Sequence, residues 1–280
     1  MRRFANTNGA HAVTEGSKAM GQRIVTGVVA GAAFLALLGL GGWYYSLMLA
    51  ALALIGYHEF VKLNKLPASR LDVLCGFAAT LVLALPHLPF GWATPSAEAV
   101  SWVLMFVLLS ATVFSKNRIT LDQSALLFVG AFYIGLGFRY MALTREMPHG
   151  VFWPLLVFFC IWASDAGAYF VGKAIGRTKL WPSISPNKTV EGALGGLVIA
   201  LLVSVVFAVV WPDWIDFGTA LAVALAAAVA GQLGDLIQSA YKRLRGVKDS
   251  GNLLPGHGGV LDRTDSWLIV FPLVHLLGLI

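Results

Sequence analysis

Apolar residues in this chain come in long blocks separated by short polar stretches. A bilayer core of about 30 Å calls for about 20 mostly apolar residues in each crossing helix, and somewhat fewer at the low end of the range. Measured that way, the chain holds nine candidate spans, at approximately 24–40, 43–59, 71–86, 99–114, 124–143, 151–171, 190–211, 218–237 and 267–280. The predicted fold class is therefore all-α, a polytopic integral membrane helical bundle of about nine transmembrane helices. Only Gly41 and Gly42 separate the first two blocks, which form one tight hairpin or are partly re-entrant. Residues 1–23 are polar and aperiodic and read as a disordered cytoplasmic tail, ahead of a single transmembrane catalytic domain over 24–280. Arg2 and Arg3 before an Ala-rich run also fit a cleavable signal peptide. The basic tail is long, however, and eight more apolar blocks follow, which favours an uncleaved first span.

Composition agrees with the blocks. Of 280 residues, 58% are hydrophobic and 12% charged, and the mean hydropathy is +0.77, far from the balance of a soluble globular domain. Cys75 and Cys160 each lie inside an apolar run without a second ligand at metal spacing, so they read as small buried hydrophobes. The net charge of +6 reflects basic loops facing anionic lipid rather than a nucleic-acid partner. When the spans alternate from a cytoplasmic N-terminus, 18 of the 20 lysines and arginines fall on the inside, and only Arg139 and Arg145 face the other way. One span more or fewer would move the later loops across the membrane and erase that bias. Gly27 and Gly31, and Gly192 and Gly196, stand four apart, a spacing that lets helices approach closely but is also common in membrane helices generally. No internal repeat suggests an inverted-repeat transporter.

The chemistry gathers in a few polar places. A carboxylate at mid-bilayer costs about 2.5–3.5 kcal/mol on insertion scales, so each one calls for a reason. Asp165 lies in "CIWASDAGAYFVG" and Asp235 in "AGQLGDLIQSAYKR", both near the cytoplasmic ends of their spans, where solvation or pairing with a lysine is the simpler account. On a helix Asp235, Ser239 and Lys242 share a face. The polar stretch that follows supplies Lys248, Asp249, His257, Asp262, Arg263 and Asp265. Asp262 and Asp265 share a face if "LDRTDS" opens the last helix, although Asp265 and Ser266 also suit a helix cap. Like charges about 4 Å apart repel by about 4 kcal/mol at an effective dielectric near 20, so converging carboxylates need a cation. Oxygen ligands without cysteine suit magnesium or another hard ion. "SISPNKTVEG" brings Ser185, Lys188 and Thr189 to the start of the seventh span, where an ordinary helix start is the plain reading. "PGHGGVLDR", with Gly258 and Gly259, can wrap a phosphate or serve as a flexible loop. His58 and Glu59, at the inner end of the second span, either join this group or solvate a helix end. Acidic groups, a divalent ion and Lys/Arg together describe phosphoryl or nucleotidyl transfer. No Ser–His–Asp, Cys–His or paired-glutamate arrangement is evident. A phosphate monoester as attacking group would need no strong protein base, since its second pKa is about 6.

From Ser239 onward, "SAYKRLRGVKDSGNLLPGHGGVLDRTD" resembles the signature of the phosphatidate cytidylyltransferases, the CDP-diacylglycerol synthases. Ser239, Lys242, Arg243, Lys248, Asp249, Pro255, His257, Gly258, Gly259, Asp262, Arg263 and Asp265 fill that pattern. "SDAGAYFVGKAIGR", "SPNKTVEG" and "GDLIQS" look like further blocks in the same order. Tyr241 stands where the family more often has an aliphatic residue or Phe, and Asn187 where Lys is frequent, which removes one phosphate contact. The resemblance implies that CTP and phosphatidate are joined to give CDP-diacylglycerol and pyrophosphate, with Mg2+ required, by a homodimer in a bacterial inner membrane with its site on the cytoplasmic side. It also implies Asp235, Asp262 and Asp265 as metal-site residues with Asp165 close by. Lys188, Lys242, Arg243, Lys248, His257 and Arg263 would then hold the triphosphate and the lipid phosphate. A transporter using Asp165 and Asp235 as coupling carboxylates, and a CTP-using enzyme acting on another lipid, are the rival readings.

Overall fold

The computed structural model describes residues 25–88, 92–251 and 258–280, so His257 and Pro255 lie outside the described residues. Each apolar block forms a helix. In chain order these are α1 (Val25–Leu40), α2 (Gly42–Leu63), α3 (Leu71–Ala84), α4 (Ala97–Phe114), α5 (Leu121–Glu146), α6 (Phe152–Ile175), α7 (Val190–Val210) and α8 (Phe217–Leu244). The short α9 (Leu261–Thr264) and then α10 (Trp267–Leu276) complete the described chain. Six of these, α2 and α4 to α8, are long and apolar enough to cross a membrane, while α1, α3 and α10 are shorter apolar helices. Among the described residues six full spans are thereby shown, and the expected nine are not. The short ones have evident stops. Gly41 takes φ 66° and Gly42 φ 52°, so the helix breaks between α1 and α2 at backbone that favours glycine, and α3 ends in extended backbone at Leu85, one residue before Pro86.

Four of the helices, α4, α5, α7 and α8, start on side chains that accept from their own first turn. Ser96 takes Ala99 N–H at 3.2 Å, Thr120 takes Gln123 N–H at 3.3 Å, Thr189 takes Gly192 N–H at 3.1 Å and Asp216 takes Thr219 N–H at 3.0 Å. The two arginines that stand apart in the charge pattern close helix ends. Arg139 donates to Leu85 O at 3.0 Å, and Arg145 donates to Leu38 O at 2.7 Å and Gly39 O at 3.0 Å. They satisfy carbonyls that have no partner within their own helix.

The fold is not wholly helical. Strands β1 (Lys179–Trp181) and β2 (Ser185–Thr189) form an antiparallel hairpin between α6 and α7, with Lys179 opposite Thr189 and Trp181 opposite Ser185. Glu191, in the first turn of α7, fastens it by accepting from the N–H groups of Arg177 and Thr178 at 3.1 Å. The sequence here reads as a turn and a helix start, because strands this short show no alternation.

Buried aromatic and aliphatic side chains from α2, α5, α6, α8 and α10 fill the centre, among them Tyr45, Tyr57, Phe138, Phe158 and Phe271. Large apolar residues such as Trp102, Phe106 and Phe114 of α4 remain exposed, the inside-out distribution of a protein surrounded by lipid. Of the two glycine pairs, Gly192 and Gly196 do bring α7 against α6. A Cβ at Gly192 would lie 2.7 Å from Ala168 O, and one at Gly196 would collide with Ser164 O. Gly31 of the other pair has open space around it.

Candidate functional site

The carboxylates meet because α8 is long and carries glycine where another segment crosses it. α8 runs on to Leu244, past the predicted end of its span, which places Asp235, Ser239 and Lys242 on one continuous helical face. Ser239 Oγ donates to Asp235 Oδ1 at 3.3 Å. At Gly234 a Cβ would stand 2.6 Å from Asp265 O, so the missing side chain lets the segment before α10 lie directly on α8. Ser266 Oγ holds it there by donating to Gly231 O at 2.9 Å. Asp235 and Asp265, 30 positions apart, thereby line one cavity.

Two charge pairs organise the site. Lys188, at the end of β2, reaches Asp235 Oδ2 at 2.6 Å. Lys242 reaches Asp262 Oδ1 at 2.7 Å, with side-chain exposures of 11% and 7%. The second oxygen of Asp262 accepts from Ser250 N at 2.8 Å, Ser250 Oγ at 3.0 Å and Gly259 N at 2.9 Å. Burial alone would raise the Asp262 pKa, but the Lys242 ammonium and the Gly259 and Ser250 N–H groups together hold it below the usual carboxylate range. Asp265, just before α10, goes the other way. Burial, then the Asp235 charge, push it up to about 7, although its Oδ1 accepts from Ser266 N at 2.7 Å.

These residues surround a cavity of about 930 Å³ with two unlike walls. One is polar, with Asp165, Asp235, Ser239, Lys242, Arg243, Lys248, Asp249, Asp262, Arg263 and Asp265; the other is apolar, from α1, Met48 and Leu52 of α2, Trp162 and Trp267. A second cavity, of about 450 Å³, lies between α6, the hairpin, α7 and α8. Asp165 and Asp235 line both, and Lys188, Thr189, Asn187 and Tyr169 line the second. The larger, amphipathic cavity and the smaller one thus share Asp165 and Asp235 in their linings.

Most residues singled out from the sequence come together here. Ser185 pairs with Trp181 in the hairpin and lines neither cavity, and the Thr189 hydroxyl is engaged as a helix cap. Gly258 has φ 80°, and a Cβ there would meet Asp262 Oδ2 at 2.7 Å, so it serves the loop's close turn around that carboxylate. Gln232 carried no sequence signal, yet its Nε2 ties Ser164 Oγ at 3.2 Å to Ala193 O at 3.1 Å, joining α6, α7 and α8 beside Asp165. Ser250 was equally silent.

Among the described residues, no three acidic, His or Cys side chains stand close enough to hold a metal ion as they are. The donor chemistry nevertheless suits a hard cation. The acidic side chains that line the larger cavity, Asp165, Asp235, Asp249, Asp262 and Asp265, offer oxygen donors, the kind such an ion takes.

Comparison with known proteins agrees with this chemistry. The family model described as "Cytidylyltransferase family" matches residues 21–280. A phosphatidate cytidylyltransferase of Bacillus subtilis is 41% identical over 264 residues, covering 92% of this chain and 97% of that protein. The chain is also similar to phosphatidate cytidylyltransferases of Staphylococcus haemolyticus, 38% identical, and Staphylococcus aureus, 37% identical, each over 91% of this chain and 97% of the relative.

Proposed function

The chain belongs to the cytidylyltransferase family, and from that premise we propose that it is a phosphatidate cytidylyltransferase, moving CMP from CTP onto phosphatidate to give CDP-diacylglycerol and pyrophosphate. The observation that carries the reading is the larger cavity, where five aspartates and four Lys/Arg side chains share the lining with apolar residues. A substrate with two acyl tails and a phosphate head matches both halves. The nucleotide enters from the smaller cavity on the other side of Asp165 and Asp235.

The lipid phosphate, largely dianionic near neutral pH, supplies its own nucleophile. One of its oxygens forms a bond to the α-phosphorus of CTP as the bond from that phosphorus to the α–β bridging oxygen breaks, and pyrophosphate leaves. No covalent enzyme intermediate is required. Lys242, Arg243, Lys248 and Arg263 neutralise the phosphates that must approach one another, and Lys188 does so from the side of the second cavity. Magnesium, held by Asp235, Asp262 and Asp265 beside Asp165, would add charge stabilisation at the transferring phosphoryl group. Lys242 occupies Asp262 Oδ1 and Ser250 and Gly259 donate to Oδ2, so a cation bound there would have to displace one of these donors. The excess of lysine and arginine in alternate loops supports a site on the cytoplasmic face of a bacterial inner membrane, and the shorter apolar helices α1, α3 and α10 are read as the remaining passages of a homodimeric enzyme.

Detergent-solubilised protein given labelled CTP, magnesium and phosphatidate is expected to move label into lipid. The Asp265→Asn protein, still inserted in membranes, is expected to lose that turnover. Label entering only a different lipid acceptor would replace phosphatidate in the reading, and no CTP turnover with any lipid would overturn it in favour of transport.

A further inference from the structure

Glu59 is buried at 5% exposure near the end of α2, a costly place for a carboxylate unless donors surround it. They do. Its Oε1 accepts from Val260 N at 2.9 Å, and its Oε2 accepts from Leu261 N at 3.0 Å and Ser250 Oγ at 2.9 Å. Val260 and Leu261 begin α9, whose own N-cap makes no side-chain hydrogen bond. Glu59 therefore provides from a distant helix the acceptor that α9 lacks, with negative charge at the end where a helix favours it. The chain closes tightly around it: a Cβ at Gly251 would lie 2.5 Å from Glu59 Oε1, and one at Gly259 would collide with Oε2. Both sides of the polar loop, at 250–251 and 259–261, thus hang on one carboxylate. The same face of α2 seats α9 by packing as well, since Leu261 Cδ2 fills the space beside Gly56, where a Cβ would be 3.2 Å away.

Ser250 links this anchor to the site. Its hydroxyl carries one proton and stands 2.9 Å from Glu59 Oε2 and 3.0 Å from Asp262 Oδ2, so the two carboxylates compete for it. Asp262 in turn holds Lys242. Accepting the cytidylyl-transfer reading, we infer that Glu59 is a positioning residue. It touches neither substrate, and it sets the rotation and height of α9 so that Asp262, Arg263 and the Lys242 ammonium face the reacting phosphates. Neutral glutamine keeps the shape, but one of its two positions becomes an NH2 pointing at groups that are themselves donors, so at least one of the three bonds is lost.

The test is Glu59→Gln alongside Ser250→Ala in the full-length, detergent-solubilised protein. Three quantities are read: kcat and KM for CTP and phosphatidate per folded molecule, the thermal midpoint, and deuterium uptake of the 258–263 peptide. For Glu59→Gln the expected result is faster uptake in that peptide and kcat/KM for CTP lowered by about 10- to 100-fold, the scale of a small misplacement of reacting groups. Ser250→Ala, which keeps both backbone bonds, is expected to lower kcat/KM several-fold, to about a third or less, with its midpoint unchanged. Native kcat/KM in folded Glu59→Gln would overturn the inference. If that protein does not fold, native kcat/KM in Ser250→Ala would overturn it instead. An unaltered protein that makes no CDP-diacylglycerol would sink the proposed function, and peptide uptake would still report whether Glu59 fastens the loop.

Discussion

Asp262→Ala would remove four contacts at once: the Lys242 ammonium at 2.7 Å, Ser250 N at 2.8 Å, Gly259 N at 2.9 Å and Ser250 Oγ at 3.0 Å. The largest consequence is electrostatic. Lys242 is only 11% exposed at its side chain, and without Asp262 its charge is left buried beside no direct partner of that kind. Breaking such a pair from one side costs about 3–5 kcal/mol. The reverse change, Lys242→Met, leaves Asp262 with its three remaining donors, so its cost is that of one charge-assisted bond, about 1.5–3 kcal/mol. The two substitutions are therefore unequal although they break the same ion pair. Opening of the 258–263 segment, read by native-state hydrogen exchange, should accelerate about 10²- to 10³-fold in Asp262→Ala and about 10- to 10²-fold in Lys242→Met, at about 1.4 kcal/mol per factor of ten. The double change to Leu and Met should cost less than Asp262→Ala alone, because no charge is stranded. An acceleration in Lys242→Met equal to or above that in Asp262→Ala would refute the reasoning.

Asp265, pushed up to about 7, favours its neutral form in the fold. Its stabilising contribution is full below the unfolded carboxylate pKa of about 4 and is lost as pH rises through about 7. The thermal midpoint in chelator and detergent should therefore fall between about pH 4 and 7 more steeply for the native chain than for Asp265→Asn, and parallel profiles would contradict this. Gly234→Ala drives a methyl group into the Asp265 carbonyl, 2.6 Å from the Cβ position, so it should cost about 1–3 kcal/mol as overpacking and depress CTP turnover. Unchanged turnover would show that α8 and the Asp265 segment need not touch.

Block length foretold the helices, because in lipid a backbone must satisfy its own hydrogen bonds and leaves few other choices. The hairpin at 179–189 escaped notice because two strands of a few residues have no period to read. For the site, residue types were legible and partners were not. Asp235, Asp262 and Asp265 stood out as charges in or beside apolar blocks, since that placement is expensive for any chain. That Lys188 meets Asp235, or that Asp262 is already filled by donors, follows from nothing in their spacing.

Glu59 marks the boundary most sharply. As a carboxylate at the end of an apolar run it had two readings, and local sequence weighs them equally. Its three donors lie 191, 201 and 202 positions away. Sequence by itself determined which segments form apolar helices and which residue types gather at their ends, because hydrophobic and charge costs arise residue by residue. Only the tertiary structure decided which ends are neighbours and which acceptor each donor finds, because a hydrogen bond tests distances of a few ångströms that no linear order contains.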